Sequence, residues 1–224
     1  MAVTVDYIYQ QALKIIRKNQ AGGLSSVDFQ YHWNGEQNAY FTDLLGHFNR
    51  ASNGKSGINT GLIENQTILT KLTPFIKPVT ITITSGDGDK PGDFIYELGL
   101  RINGKKVTHI NHGQISDVED SVIDTPSEDD DCYYCVEYED YYRFLPDTVT
   151  EAELDYISAP VNVVWAYGFD VDNRQVYTSV GSVQPQWLNN DASEITKRML
   201  KTLGVAFSSQ DFQNFGNSVI NTGD

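Results

Sequence analysis

The sequence predicts an α+β fold: a central antiparallel β-sheet, or a small sandwich or barrel, with an N-terminal helical hairpin and two C-terminal helices. Three observations lead there. Apolar residues recur every three or four positions from Val5 to Phe48, the spacing that gives a helix one buried face. From Val79 to Ile110 the period drops to two, the spacing of strands with one face inward. After Asp191 the helical spacing returns. One domain is expected across 1–224, with helices in 1–50, a β-rich core in 76–185 that carries an acidic loop at 111–131, and helices in 188–221.

The first helix is predicted over Val5 to Lys18, where Val5, Ile8, Tyr9, Ala12, Leu13, Ile15 and Ile16 share a side and Ala21-Gly22-Gly23 ends the run. Ser25 or Ser26 caps a second, whose stripe of Phe29, Trp33, Gln37, Phe41, Leu44 and Phe48 reads as core. The pair Asn34-Gly35 weakens its middle, because Gly costs about 1 kcal/mol inside a helix. Asn49 to Asn59 is a polar loop, and Ile63 to Leu72 a short helix stopped before Thr73-Pro74.

Val79, Ile81 and Ile83 alternate with threonines as a strand, and Ser85 to Asp93 turns the chain. Phe94, Tyr96, Leu98, Leu100 and Ile102 alternate as the next strand, and Asn103-Gly104 is a two-residue hairpin signal before a return over Lys105 to Ile110. Asn111 to Asp131 reads as an exposed loop kept extended by charge repulsion, followed by an edge strand over Cys132, Tyr134, Val136 and Tyr138. Further strands are expected at Leu154 to Tyr156, Val161 to Trp165 and Val176 to Val183. Asp191 with Glu194 three residues on predicts a capping box for a helix through Ile195, Met199 and Leu203, and Ser209 caps a last helix carrying Phe212, Phe215 and Val219.

Composition narrows the function classes. With 40% hydrophobic and 12% aromatic residues the chain is too rich in core formers to be disordered. The net charge of −14 is concentrated: Asp117 to Asp140 holds 11 acids and no base, and the remaining 19 acids face 16 bases. Lysines and arginines are scattered, so specific nucleic-acid binding, which needs clustered cations at phosphates, is not expected. No apolar run is long enough for a membrane span. The N-terminus mixes charges through its apolar residues, unlike a signal peptide, and the two cysteines point to a reducing compartment.

Motifs for chemistry are sparse. His109-x-x-His112 and Cys132-x-x-Cys135 have zinc-like spacings, but residues three apart on a strand point to opposite faces, so the two cysteines would not reach one ion. Ser85 to Asp93 looks faintly like a calcium loop, with Pro91 where a ligand belongs and no closing Glu. Cys132-Tyr133-Tyr134-Cys135 follows acids, which raise a thiol's pKa, and does not open a helix as a redox motif would. Paired acids for glycoside hydrolysis arise by chance in any acidic run. No catalytic residue, metal or cofactor is therefore assigned.

Four segments carry a resemblance in a fixed order: FQYHWNGEQNAYFTDLLGHF in the second helix, ENQTILTKLTPFI from Glu64, LPDTVTEAELDYISAPVNVVWAYG from Leu145, and WLNNDASEITKRMLKTLGVAFSSQDFQNFG from Trp187. Together they resemble structural proteins of tailed bacteriophages that infect Bacteroidetes, in particular the neck ring proteins of crAss-like phages. Gly99 to Tyr141 lies outside the resemblance. The resemblance implies a non-enzymatic virion protein, assembled in the host cytoplasm into a homododecameric ring between portal and tail, with the portal and other neck or tail proteins as partners. DNA would be only transient channel contents, and no membrane is involved. Independently of the resemblance, the absence of any base over 117–140 leads to the expectation that Asp129, Asp130 and Asp131 rim the channel and repel DNA, while Trp165, Trp187, Phe212 and Phe215 would serve interfaces. The rival reading is a tail-associated glycan- or receptor-binding module, which would display exposed Trp and Tyr.

Overall fold

The computed structural model describes residues 3–18, 23–52, 60–121 and 125–204. The fold is α+β, and the chain divides into two compact units. It leaves the first, mainly helical unit after Pro74 and returns to it at Pro160; Phe75 to Ala159 form the second, a β unit. Residues 160–185, expected in the β-rich core, thus belong with the helices. Phe212 and Phe215 lie outside the described residues, as does the helix expected after Ser209.

In the helical unit, α1 spans Val5–Lys18, α2 Ser26–Ser52 and α3 Thr60–Leu72. The Thr4 hydroxyl accepts from the Tyr7 amide at the start of α1. Ser25 is the cap of α2: its Oγ accepts from the Asp28 amide at 3.1 Å and donates to the Asp28 carboxylate at 2.6 Å. The predicted stripe is core, with Phe29, Trp33, Gln37, Phe41, Leu44 and Phe48 all buried. Despite Asn34-Gly35, α2 is continuous over 27 residues.

The β unit starts from a 3-10 turn at Thr73–Phe75 and is built from β1 (Ile76–Thr84), β2 (Asp87–Asp89), β3 (Phe94–Ile102), β4 (Lys105–Lys106), β5 (Thr108–His109), β6 (Tyr134–Glu137), β7 (Tyr141–Leu145) and β8 (Glu151–Ser158). A 3-10 turn at His112–Gln114 runs into the short α4 (Ile115–Glu119). The strand order β4-β3-β8-β1-β2-β7-β6-β5 places at the two ends of the sheet strands that flank a single residue, Val107. The Val107 amide donates to the Leu100 carbonyl of β3, and the next amide, Thr108, donates to Tyr133 beside β6. One short stretch therefore joins both edges, and the sheet is nearly closed as a barrel. Ile81, Ile83, Leu100, Ile102, Val107, Phe144 and Leu154 belong to the core inside it. Pairing is antiparallel except between β5 and β6.

Local signals explain most of these strands. Asn103 and Gly104 take φ of 51° and 76°, the left-handed pair a tight hairpin requires, and Ile102 faces Lys105 across it. Three expectations need correction. The turn at Ser85 to Asp93 contains β2, inserted between β1 and β7. The segment after Cys132 is no edge: β6 lies between β5 and β7, with Cys135 and Val136 buried. The acidic loop is not extended throughout, since α4 forms within it and Ser127 and Cys132 exchange two backbone hydrogen bonds around the turn Glu128 to Asp131.

The chain then returns to the helical unit through a two-stranded sheet of β9 (Tyr167–Phe169) and β10 (Gln175–Tyr177), and ends its described part in α5 (Asn189–Thr202). The strand expected at Val161 to Trp165 is instead an extended segment with one bridge, Val164 to Val183. Its backbone partner on the other side is a side chain. Asn34 Nδ2 donates to the Val163 carbonyl at 3.0 Å, and its Oδ1 accepts from the Val163 amide at 2.8 Å, as a paired strand would. Gln37 extends this link, donating to Asn34 Oδ1 and to the Val161 carbonyl while accepting from Trp187 Nε1. Nor does Asp191 cap α5. Leu188 occupies that position, and Asp191 is buried in the first turn, accepting from Tyr40 at 2.8 Å and lying 3.3 Å from Lys71.

Candidate functional site

Among the described residues, five of the ten large hydrophobic side chains that face solvent, Tyr167, Phe169, Val171, Val176 and Val180, lie on or beside the β9–β10 hairpin; the other five, Val27, Tyr31, Ile95, Val161 and Leu188, are spread over other segments. An aromatic ladder fixes the base of the hairpin. Tyr9 packs on Trp165 at 4.6 Å, Trp165 on Tyr167 and Tyr177 at 5.8 and 6.0 Å, and Tyr167 on Phe169 edge-on at 5.6 Å. Exposure climbs along it, from 6% and 3% at Tyr9 and Trp165 to 37% at Tyr167 and 63% at Phe169. The indole of Trp165 donates to Asp6 Oδ1, tying the ladder to α1.

The hairpin tip is ordered by Asp170, whose Oδ1 accepts from the amides of Asp172 and Arg174, and Asn173 takes the left-handed conformation there. Only three charged residues occur in 161–188, Asp170, Asp172 and Arg174, and Arg174 lies 3.8 Å from Asp172. In a chain of net charge −14 this is a nearly neutral, apolar arm, a combination suited to protein contact.

The residues singled out from the sequence fare differently. Trp165 and Trp187 are core, not surface: the first anchors the arm, and the second packs on Tyr40 and Phe41. Asp129, Asp130 and Asp131 are exposed at the 127–132 turn, with Asp131 2.8 Å from Lys105. The four zinc-like residues do not converge. His112 packs edge-on against Tyr138, Cys132 lies 3.4 Å from the Tyr134 hydroxyl, and only His109 and Cys135 meet. No group of three or more His, Cys, Asp or Glu is placed to hold a metal ion among the described residues. Nor is any helix there long and apolar enough to cross a membrane.

His109 and Cys135 belong to a polar cluster at the barrel seam that the sequence pattern concealed. His109 Nε2 lies 2.8 Å from Glu97 Oε1, His109 Nδ1 lies 3.4 Å from Cys135 Sγ, and the Tyr142 hydroxyl donates to Glu97 Oε2 at 2.9 Å. Strict alternation would turn Glu97 outward. A register shift between Glu97 and Gly99 places Glu97 opposite Tyr156 and Leu100 opposite Leu154, so both face the core side. Gly99 is the sequence signal that could have revealed it.

The order thiol, imidazole, carboxylate resembles a nucleophilic triad, but the Cys135 residue is 0% exposed and burial raises its thiol pKa. A buried thiol with a raised pKa is the opposite of an activated nucleophile, and the cluster is a polar contact at the barrel seam. The Glu97 hydrogen bond raises the His109 pKa above its ordinary 6.5, against the opposing effect of burial. Glu137 reinforces the shift, and Lys106 opposes it. Since the folded value is the raised one, the stabilisation is complete below pH 6.5 and is lost as pH rises through the folded value. The melting temperature of wild type should therefore fall more steeply than that of His109→Gln above pH 6.5. With the imidazole 40% exposed the effect is at most about 1 kcal/mol. Parallel slopes in melting scans between pH 6 and 9 would remove the role.

Comparison with protein-family models and with curated proteins gave no match to this chain.

Proposed function

We propose that this chain is a structural protein of a tailed bacteriophage virion, forming a homododecameric ring in the neck between portal and tail and extending the DNA channel. The observation that carries the reading is the arm: an apolar, nearly neutral hairpin anchored by an aromatic ladder, on a chain whose acidic excess is concentrated in 117–140. The acidic stretch of one copy repels that of the next, and a low-charge apolar element away from it is where copies can meet. The segments that resemble neck ring proteins support it in a second way. Trp33, Asn34 and Gln37 of the first bond Val161 and Val163 of the third and Trp187 and Thr196 of the fourth, so three of the resembling segments form one internal scaffold.

The arm supplies contact, the scaffold holds it, and the exposed acids at 128–131 suit a channel rim that repels DNA. A glycan-binding module finds exposed tyrosines in Tyr31 and Tyr167 but no exposed Trp, since Trp33, Trp165 and Trp187 are all buried. Native mass spectrometry of the protein alone, and mixed with the portal of its virion, tests the proposal. A discrete ring, or a complex formed on the portal, is expected. A monomer that ignores the portal overturns it.

A further inference from the structure

Resting on the ring reading, we propose that the arms of adjacent copies pair edge to edge, the β9 edge of one copy taking the β10 edge of the next, so that the hairpins join into one continuous antiparallel sheet. The occupant of each edge is thus a second copy of this chain. The hydrogen-bond pattern shows what each edge offers. The Thr178 amide donates to Ala166 and the Asp170 amide to Arg174, so the pairs 166/178 and 170/174 bond inward. In an antiparallel ladder, bonded and non-bonded pairs alternate. The intervening pairs 167/177 and 169/175 therefore direct their backbone N–H and C=O groups outward, Tyr167 and Phe169 on one side and Gln175 and Tyr177 on the other.

Both hairpin edges lie outside the larger sheet, whose end strands meet at Val107, and no strand covers either of them among the described residues. An open edge is a template for another strand, and the opposite edges of one hairpin are complementary to each other. Two further observations favour a second copy. The arm's charges are few and include an ion pair, so like arms meet without the repulsion of the acidic stretch 117–140. Its size also suits the arrangement. Tyr167 and Phe169, 37% and 63% exposed, together offer about one aromatic's area, roughly 150–250 Å², below the roughly 800 Å² per partner of a standard interface. A single arm contact is thus too small to hold a dimer, whereas copies contacted on both edges accumulate area around a closed ring. Pairing of unlike edges is the heterologous contact from which rings are made.

The test separates edge pairing from side-chain docking and from failure of the ring itself. Gln175→Pro removes an outward N–H and leaves the inward ladder intact; Gln175→Ala changes the side chain alone. With full-length protein, native mass spectrometry over a concentration series should show wild type and Gln175→Ala assembling alike. Gln175→Pro should stay monomeric at those concentrations, at least about tenfold weaker in association, with an unchanged circular dichroism spectrum. If Gln175→Pro assembles like wild type while Phe169→Ser does not, the arm docks through side chains and edge pairing is overturned, with the ring reading intact. If wild type itself never assembles, alone or on the portal, both fall. Should Gln175→Pro lose its native spectrum, Tyr167 N-methylated by semisynthesis removes an N–H on the other edge, and assembly of that protein overturns the proposal.

Discussion

Asn34→Ala is expected to destabilise the helical unit by about 2–4 kcal/mol, although alanine is the better helix former. Two effects oppose each other. In the middle of α2 the substitution gains up to about 0.7 kcal/mol of intrinsic propensity. Against this, Val163 is buried, and its amide and carbonyl both depend on the Asn34 side chain. Each buried backbone group left without a partner costs about 1–3 kcal/mol. Gln37, also buried, loses a hydrogen bond to Asn34 at the same time. Desolvation therefore outweighs propensity. Thermal or urea unfolding followed by circular dichroism would measure it, and a variant as stable as wild type would show that the 161–163 segment does not depend on α2. Asn34→Asp is the informative companion: it keeps the acceptor for the Val163 amide, loses the donor to the carbonyl, and should fall between the two.

Asn34 also shows why some of the fold was legible in the sequence and some was not. Periodicity located α1, α2, β1 and β3, because burial of one face is a local pattern that each element carries by itself. Asn103-Gly104 identified its hairpin for a similar reason: only a few residues accept its left-handed backbone. What escaped depends on partners far away in the chain. Asn34-Gly35 looked like a weak point in a helix, yet Asn34 acts as a strand edge for residues 129 positions later. Asp191 had the spacing of a cap, yet its carboxylate is taken by Tyr40 and Lys71. Strict alternation would turn Glu97 outward, and a bulge at Gly99 turns it inward onto His109 and Tyr142.

The candidate site was hidden by the same limitation. Tyr167 and Phe169 are ordinary strand residues in the sequence, and their meaning comes from exposure, which no local pattern reports. Trp165 and Trp187 were placed at interfaces because aromatics are frequent there, but their indole N–H groups find partners in Asp6 and Gln37, and the rings are core. Trp165 still bears on the arm, as the buried rung on which its exposed aromatics stand.

Within the barrel, Gly88→Ala is expected to cost about 1–3 kcal/mol, toward the upper end of the overpacking range. Gly88 lies at the centre of β2, between Ile83 of β1 and Tyr142 of β7. A Cβ at that position would be 2.7 Å from Ile81 Cγ2, 3.1 Å from Phe144 Cε2 and 3.3 Å from Ile83 Cγ1. None of these can retreat cheaply. Ile81 and Ile83 are β-branched and stiff at χ1, and Ile81, Ile83 and Phe144 are all buried in the closed core. A three-residue strand is accommodated between two longer ones because it brings almost no side chain to that face. Gly92→Ala is the control: its Cβ would meet nothing within 4 Å, and a change within about 0.5 kcal/mol is expected. Thermal unfolding of the two variants should separate them clearly. The double variant Gly88→Ala with Ile81→Ala decides the cause, because Ile81→Ala removes the methyl that the new Cβ would strike. If packing is responsible, the pair destabilises by less than the sum of its single changes. Strict additivity would instead trace the cost of Gly88→Ala to the backbone of β2.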